Sequence, residues 1–104
     1  MYNTLKNWMD IPCSIRHCIG TNDFNDKVYA DPISTLGYVE GSIKQVVDSL
    51  GDEVVSMSTV YIDGSECENL TTSDILSVEG VPRKILALNA FYAKGVVDIW
   101  VVYI

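Results

Sequence analysis

The chain has 104 residues, 48% of them hydrophobic, with 7 basic against 14 acidic side chains and a net charge of -7. That length predicts a single domain, 1–104, with a modest core, and that hydrophobic fraction excludes disorder. The acidic balance argues against a protein that grips nucleic acid by its phosphates.

In chain order, the first predicted element is a short N-terminal helical arm within 1–11. Tyr2, Leu5, Trp8 and Met9 fall at helical spacing, and Pro12 disfavours helix at Ile11. A strand from Pro12 to Ile19 follows, with Ile11, Cys13, Ile15 and Ile19 alternating against polar neighbours. Gly20 to Leu36 is rich in Asn, Asp, Pro and Ser and has little periodicity. It predicts a long early loop, of the kind that is usually functional or disordered when it occurs in a compact domain. Lys27 to Ala30 could form a short strand inside it.

Gly37 to Val47 predicts the next strand, with Gly41 marking a bulge or a close backbone approach. An acidic turn around Asp48 to Glu53 leads to a strand from Glu53 to Ile62, which stops at Asp63-Gly64. Leu70 to Asp74 is irregular, Ile75 to Val78 is a short strand, and Gly80-Val81-Pro82 turns the chain. Arg83 to Tyr92 and Val96 to Ile104 form a final hairpin. Short, closely spaced strands predict an all-β fold, a small antiparallel barrel of about six to seven strands.

The last two strands are apolar on both faces. Val97, Ile99, Val101 and Tyr103 line one side of the final strand; Val96, Trp100, Val102 and Ile104 line the other, interrupted by Asp98. A half-solvated strand would alternate apolar with polar, so these strands need two covers. A set formed by Leu86, Leu88, Tyr92, Trp100 and Val102 is therefore expected to meet the N-terminal segment or another subunit, which makes a homo-oligomer the expectation.

The chemistry of catalysis is sparse. Cys13, His17, Cys18 and Cys67 invite a metal reading. On a strand, however, Cys13 and His17 stand about 13 Å apart, too far to share a zinc ion at bond lengths of about 2.0–2.3 Å. His17 is the only base of suitable pKa, and no motif pairs it with a thiol. The carboxylate pairs Asp23/Asp26, Asp52/Glu53 and Glu66/Glu68 all lie in turns, as solvated acids do. The expectation is no enzyme, no metal and no cofactor. No apolar run approaches the ~20 residues of a membrane span. The opening MYNTLKNWMD lacks a signal peptide's basic start and apolar core. Three cysteines without framework spacing suit reduced thiols. Together these place the chain in the cytosol of the cell that makes it, away from membranes.

A pattern runs through these elements. It comprises Tyr38 to Gly64, YVEGSIKQVVDSLGDEVVSMSTVYIDG; the Gly20-Thr21-Asn22-Asp23 segment leading to Tyr29; Leu70-Thr71-Thr72-Ser73-Asp74-Ile75; and the closing strands Lys84 to Tyr92 and Val96 to Ile104. In layout and short fragments it resembles the head-closure (stopper, or head-tail connector) proteins of long-tailed bacteriophages, from roughly Pro12 to the end.

The resemblance implies a virion neck component assembled in the host cytoplasm. Such proteins form a ring, usually a dodecamer, beneath the portal-adaptor ring. They bind the tail completion or terminator protein and help retain packaged DNA. It also implies that 20–35 is the channel loop, carrying Asp23, Asp26, Lys27, Tyr29 and Asp31. Many relatives have a second glycine where this chain has Asp26. Rings of aspartate would let DNA pass without specific binding, so closure would be steric. In the assembled neck, Lys27 to Ala30 could pair with the same segment of adjacent subunits. The alternatives are a small oligomeric barrel that binds a ligand or single-stranded nucleic acid, or another β-rich neck or tail-terminator protein. A barrel of the nucleic-acid-binding kind needs a basic groove with exposed aromatics.

Overall fold

A computed structural model describes residues 8–41, 43–48, 50–65 and 69–104. The helix expected over Tyr2 to Met9 lies almost wholly outside these residues. Of that segment, Trp8 sits exposed in a turn and Met9 is buried. All regular structure among the described residues is β.

The strands are β1 (Ile11–Arg16), β2 (Cys18–Thr21), β3 (Lys27–Tyr29), β4 (Ile33–Glu40), β5 (Lys44–Val47), β6 (Glu53–Ser56), β7 (Thr59–Asp63), β8 (Ile75–Val78), β9 (Val81–Lys84), β10 (Ala87–Ala93) and β11 (Val96–Tyr103). Seven of them form one antiparallel sheet in the order β10-β11-β7-β4-β1-β8-β9, while β2–β3 and β5–β6 are separate two-stranded hairpins.

The strand order dictates the sheet's shape. Its two edges, β9 and β10, are consecutive in the chain and joined only by Ile85 and Leu86. A link of three residue steps spans at most about 11 Å, whereas seven strands laid flat would set their edges roughly 29 Å apart. The sheet must therefore curl until its edges converge at one corner, as a half-barrel. Ile85 is 1% exposed at that corner, and Leu86 donates its N–H to the Tyr103 carbonyl at 2.8 Å, extending the β10–β11 ladder.

The inner face carries the core. Cys13 and Ile15 of β1, Val60 and Ile62 of β7, Leu76 of β8 and Val102 of β11 pack with Leu70, Ile85 and Ile104. Leu70 comes from the irregular segment before β8, which fills the core without joining the sheet. Full burial of one such aliphatic side chain contributes about 1.5–3 kcal/mol. Backbones also approach closely at the β7 end. A Cβ on Gly64 would lie 2.1 Å from the Val97 carbonyl oxygen, while the Gly64 N–H donates to the Asp98 carbonyl at 2.8 Å.

Several sequence expectations change here. The strand drawn from Gly37 to Val47 is two strands broken at Gly41–Ile43, and its partner breaks at Met57-Ser58. Glu40 faces Thr59, but Lys44 faces Ser56. The two pairings belong to different sheets. Nothing beyond its chain neighbours lies within 4 Å of a Cβ built on Gly41, so a close backbone approach does not account for this glycine. Arg83 and Lys84 do not begin the last hairpin; they lie on β9 at the opposite edge, opposite Leu76 and Ile75.

The two faces of the last hairpin are exchanged relative to expectation. Val102 is fully buried in the core, and Leu88 and Trp100 pack against it. Leu86 is half-buried and Tyr92 is 65% exposed. The register shifts at Phe91/Tyr92, with Phe91 opposite Ile99 but Tyr92 opposite Val97. The residue left over is Asp98, the lone polar interruption in that face. Ile99 and Val101, on the other face, are 0% and 4% exposed. Within the single chain, Ile99 and Val101 are thus buried on one face of β11 and Val102 on the other, while Trp100 is half-buried and Val96 is 66% exposed.

Candidate functional site

The segment expected to be a long channel loop is mostly ordered as a hairpin. β2 and β3 pair across Asn22–Asp26, and β4 already begins at Ile33. Lys27 to Tyr29 thus pairs inside the chain, with Cys18 to Thr21. Asp23 lies in the turn, Asp26 ends it, Lys27 and Tyr29 bound β3, and Asp31 sits exposed in the link to β4.

The tip has a definite construction. The Asn22 side-chain carbonyl accepts N–H bonds from Phe24 at 2.8 Å and Asp26 at 3.1 Å. The Asn22 N–H donates to the Asp26 carbonyl at 2.9 Å. Asn25 takes the left-handed conformation, with φ of 62°, a region that Asn tolerates better than most side chains. Asp26 itself therefore needs no left-handed conformation, because Asn25 makes the turn one residue earlier. Phe24 is held outward, 84% exposed.

The second hairpin repeats this construction. Asp48 Oδ1 accepts N–H bonds from Leu50 and Asp52, each at 2.9 Å. The Asp48 N–H donates to the Asp52 carbonyl at 2.9 Å. Gly51 takes φ of 85°, and Leu50 is also 84% exposed. The two tips thus share one pattern: an Asx residue, a bulky apolar residue two later, a left-handed residue, then Asp. Asx side chains that bond the backbone two residues on are a recognised turn-forming device.

The root of β2–β3 is a buried carboxylate. Asp74, 3% exposed, accepts the Cys18 N–H at 2.8 Å, the Thr71 N–H at 2.9 Å and His17 Nδ1 at 2.9 Å. With Asp74 ionised, Nδ1 carries the imidazole proton in this contact. The root is closed by the Ala30 N–H bonded to the His17 carbonyl at 2.8 Å and by Arg16 Nε donating to the Ala30 carbonyl at 3.0 Å. The Arg16 guanidinium also lies 5.8 Å from the centre of the Tyr29 ring, within cation–π range. Cys18 Sγ donates to the Gly20 carbonyl at 3.6 Å. The His17–Asp74 pair acts here as an anchor. Cys13 meanwhile lies in the core, and burial pushes its thiol pKa up, with Glu79 adding to the rise. Cys67 lies outside the described residues.

Asp74 was not singled out from the sequence, where only carboxylates paired within turns were weighed. The available signal was Thr71-Thr72-Ser73-Asp74 directly before a strand, a run able to fold on itself through side-chain-to-backbone bonds. The Asp74 N–H donates to the Thr71 carbonyl at 3.1 Å, and the Ser73 N–H to Thr71 Oγ1 at 3.3 Å.

Beside this root lies a cleft of about 290 Å³ between β3 and the β8–β9 edge. Lys27, Arg83 and Lys84 line it together with Tyr29, Ile75 and Pro82. Seven basic residues look scattered in the sequence; the fold collects three of them in one place. None of the three makes an ion pair among the described residues. No protein family, curated protein or solved structure matches the chain.

Proposed function

We propose that the chain is a structural ring component of a tailed-phage neck, a small β-barrel stopper that joins the portal-adaptor ring to the tail completion protein and helps retain packaged DNA. The layout of its segments resembles head-closure proteins. The observation that carries the reading is the β2–β3 hairpin. Where the resemblance puts the channel loop, the chain builds a projecting element with a buried anchor at its root and a bulky side chain at its tip.

In a ring of twelve such subunits, as is usual for head-closure proteins, the copies of this hairpin converge on the axis. Asp23 and Asp26 repeat as rings of negative charge, which do not grip DNA phosphates. Phe24 supplies bulk to obstruct the lumen, so closure is steric and DNA slides once the hairpins part.

The test is a phage in which the hairpin is shortened, with the segment between Ile19 and Val28 replaced by a two-residue turn. Heads should fill with DNA, then lose it before tails attach. Normal DNA retention would reduce the protein to a spacer. A reconstruction of the neck lacking this chain would end the reading altogether.

A further inference from the structure

The β5–β6 hairpin presents an exposed face made of Ile43, Val47, Val55 and Met57, between 54% and 72% exposed, and ends in Leu50. Its opposite face, with Val46, Val54 and Ser56, turns toward the rest of the chain. Around Leu50 stand the carboxylates of Asp52 and Glu53, both exposed. The Asp48 carboxylate is committed to shaping the turn. Apolar surface ringed by charge marks an interaction site.

The cleft beside Tyr29 has the complementary character. Tyr29, Ile75 and Pro82 offer apolar surface, and Lys27, Arg83 and Lys84 offer positive charge without an ion pair among the described residues, while the Asp74 carboxylate in the same lining is taken up by its own hydrogen bonds. Thr72 and Ser73 add hydroxyl groups. Within one chain the two surfaces belong to different parts of the fold. β5 and β6 make no extensive packing with β2–β3 or with β8–β9, and β1 separates β4 from β8 in the sheet.

We propose that the β5–β6 tip of one copy docks in the Lys27/Arg83/Lys84 cleft of the next, Leu50 against the apolar lining and Asp52 and Glu53 against the three cations. This deepens the ring reading and rests on it. The occupant is a second copy because the same chain supplies both halves of the match. A knob and a socket at different places make a head-to-tail contact, which generates a ring when the rotation closes. Backbone pairing along β9 is not the mode of contact: Pro82, Arg83 and Lys84 are the residues that keep an edge strand from recruiting another. One knob gives a modest contact, but in a closed ring each subunit is held twice, and the last contact is intramolecular.

The experiment uses the full-length chain and two charge reversals at exposed positions, K27E/R83E/K84E and D52K/E53K. Mass distributions are measured across a concentration series, and circular dichroism checks the fold. Each variant alone should weaken self-association by more than about tenfold, since like charges then meet at the contact. Mixing the two variants should restore it, because each acidic partner again meets a basic one. Leu50→Ser should weaken assembly without any rescue by mixing. Wild-type-like assembly of both reversals, or a mixture no better than its parts, would overturn the interface while leaving a ring intact by other contacts. Normal assembly of K27E/R83E/K84E with lost affinity for duplex DNA would make the cleft a phosphate site instead. A wild-type chain that stays monomeric throughout the series and forms no ring in the particle would overturn both this contact and the neck reading.

Discussion

The two hairpins have the same tip and different roots. At both tips an Asx side chain gathers two backbone N–H groups, and a bulky apolar residue stands 84% exposed. At the β2–β3 root, a buried carboxylate takes bonds from two segments distant in sequence. At the β5–β6 root, the closing group is a hydroxyl: Ser56 Oγ lies 2.9 Å from the Ser58 carbonyl oxygen and 3.1 Å from that of Ile104, with its single proton shared between them. The Met57 N–H adds a bond to the same Ile104 carbonyl at 2.9 Å. Tip shape is thus a local matter of five residues, whereas attachment is a tertiary one. A charge-assisted bond is roughly twice as strong as a neutral one, so β2–β3 should be the more firmly held of the pair.

The largest expected effect separates both hairpins from the body. Ile62→Ala removes a fully buried side chain and should cost about 2–5 kcal/mol of global stability in denaturant titrations. Gly64→Ala comes next, at about 1–3 kcal/mol, because the new methyl meets a backbone carbonyl that cannot swing away. Asp74→Ala leaves two backbone donors of the β2–β3 root without their acceptor. It should cost about 2 kcal/mol and speed hydrogen exchange at Cys18 and Ala30 while leaving Asp48 and Asp52 unchanged. Equal acceleration in both hairpins would erase the distinction between their roots.

Alkaline pH gives a smaller, graded effect. Cys13 and Tyr61 both have raised pKa values, each chiefly from burial. Glu79 adds to the Cys13 rise; Glu40 adds to that of Tyr61, and Lys44 opposes it. A raised pKa means that the folded state holds the proton more tightly than the unfolded chain does. Their contribution is therefore complete below the ordinary thiol value of 9.0 and declines as pH rises through the folded values. Thermal midpoints should be flat up to that point and fall beyond it, and Cys13→Ser should flatten the earlier part of the fall. Phe24→Ser and Leu50→Ser should change the stability of the free chain least, within about 0.5 kcal/mol. A larger loss in either would show that its tip packs on the body.

The all-β class and most strand positions were legible in the sequence because alternation and turn residues are local. Asp63-Gly64 ended a strand as its composition implied, and Ile75 to Val78 stood where its β-rich run placed it. What the sequence could not settle was long-range. Alternation in β11 sorted Trp100 and Val102 from Ile99 and Val101 but could not say which set faced inward, since a one-residue slip exchanges them. Asp98 was visible as an interruption, yet only pairing to Tyr92 and Val97 revealed it as a bulge. The Asn22 and Asp48 turns were local and could have been matched to each other. Lys27 and Arg83 reach one cleft only because β9 folds back along β8, which no spacing announces.

The tips also govern how a free subunit behaves before it meets a partner. Phe24 lies between Asp23 and Asp26, and Leu50 precedes Asp52 and Glu53. Charges beside an exposed apolar residue act as gatekeepers against aggregation. Two like tips brought together would confront carboxylate with carboxylate, so a symmetric tip-to-tip pair is disfavoured from the outset. In a chain of net charge -7 the same repulsion works between whole molecules. On the proposed contact, this repulsion would oppose symmetric tip-to-tip pairing and favour the asymmetric one, in which an acidic tip meets the basic, partly apolar cleft of another copy.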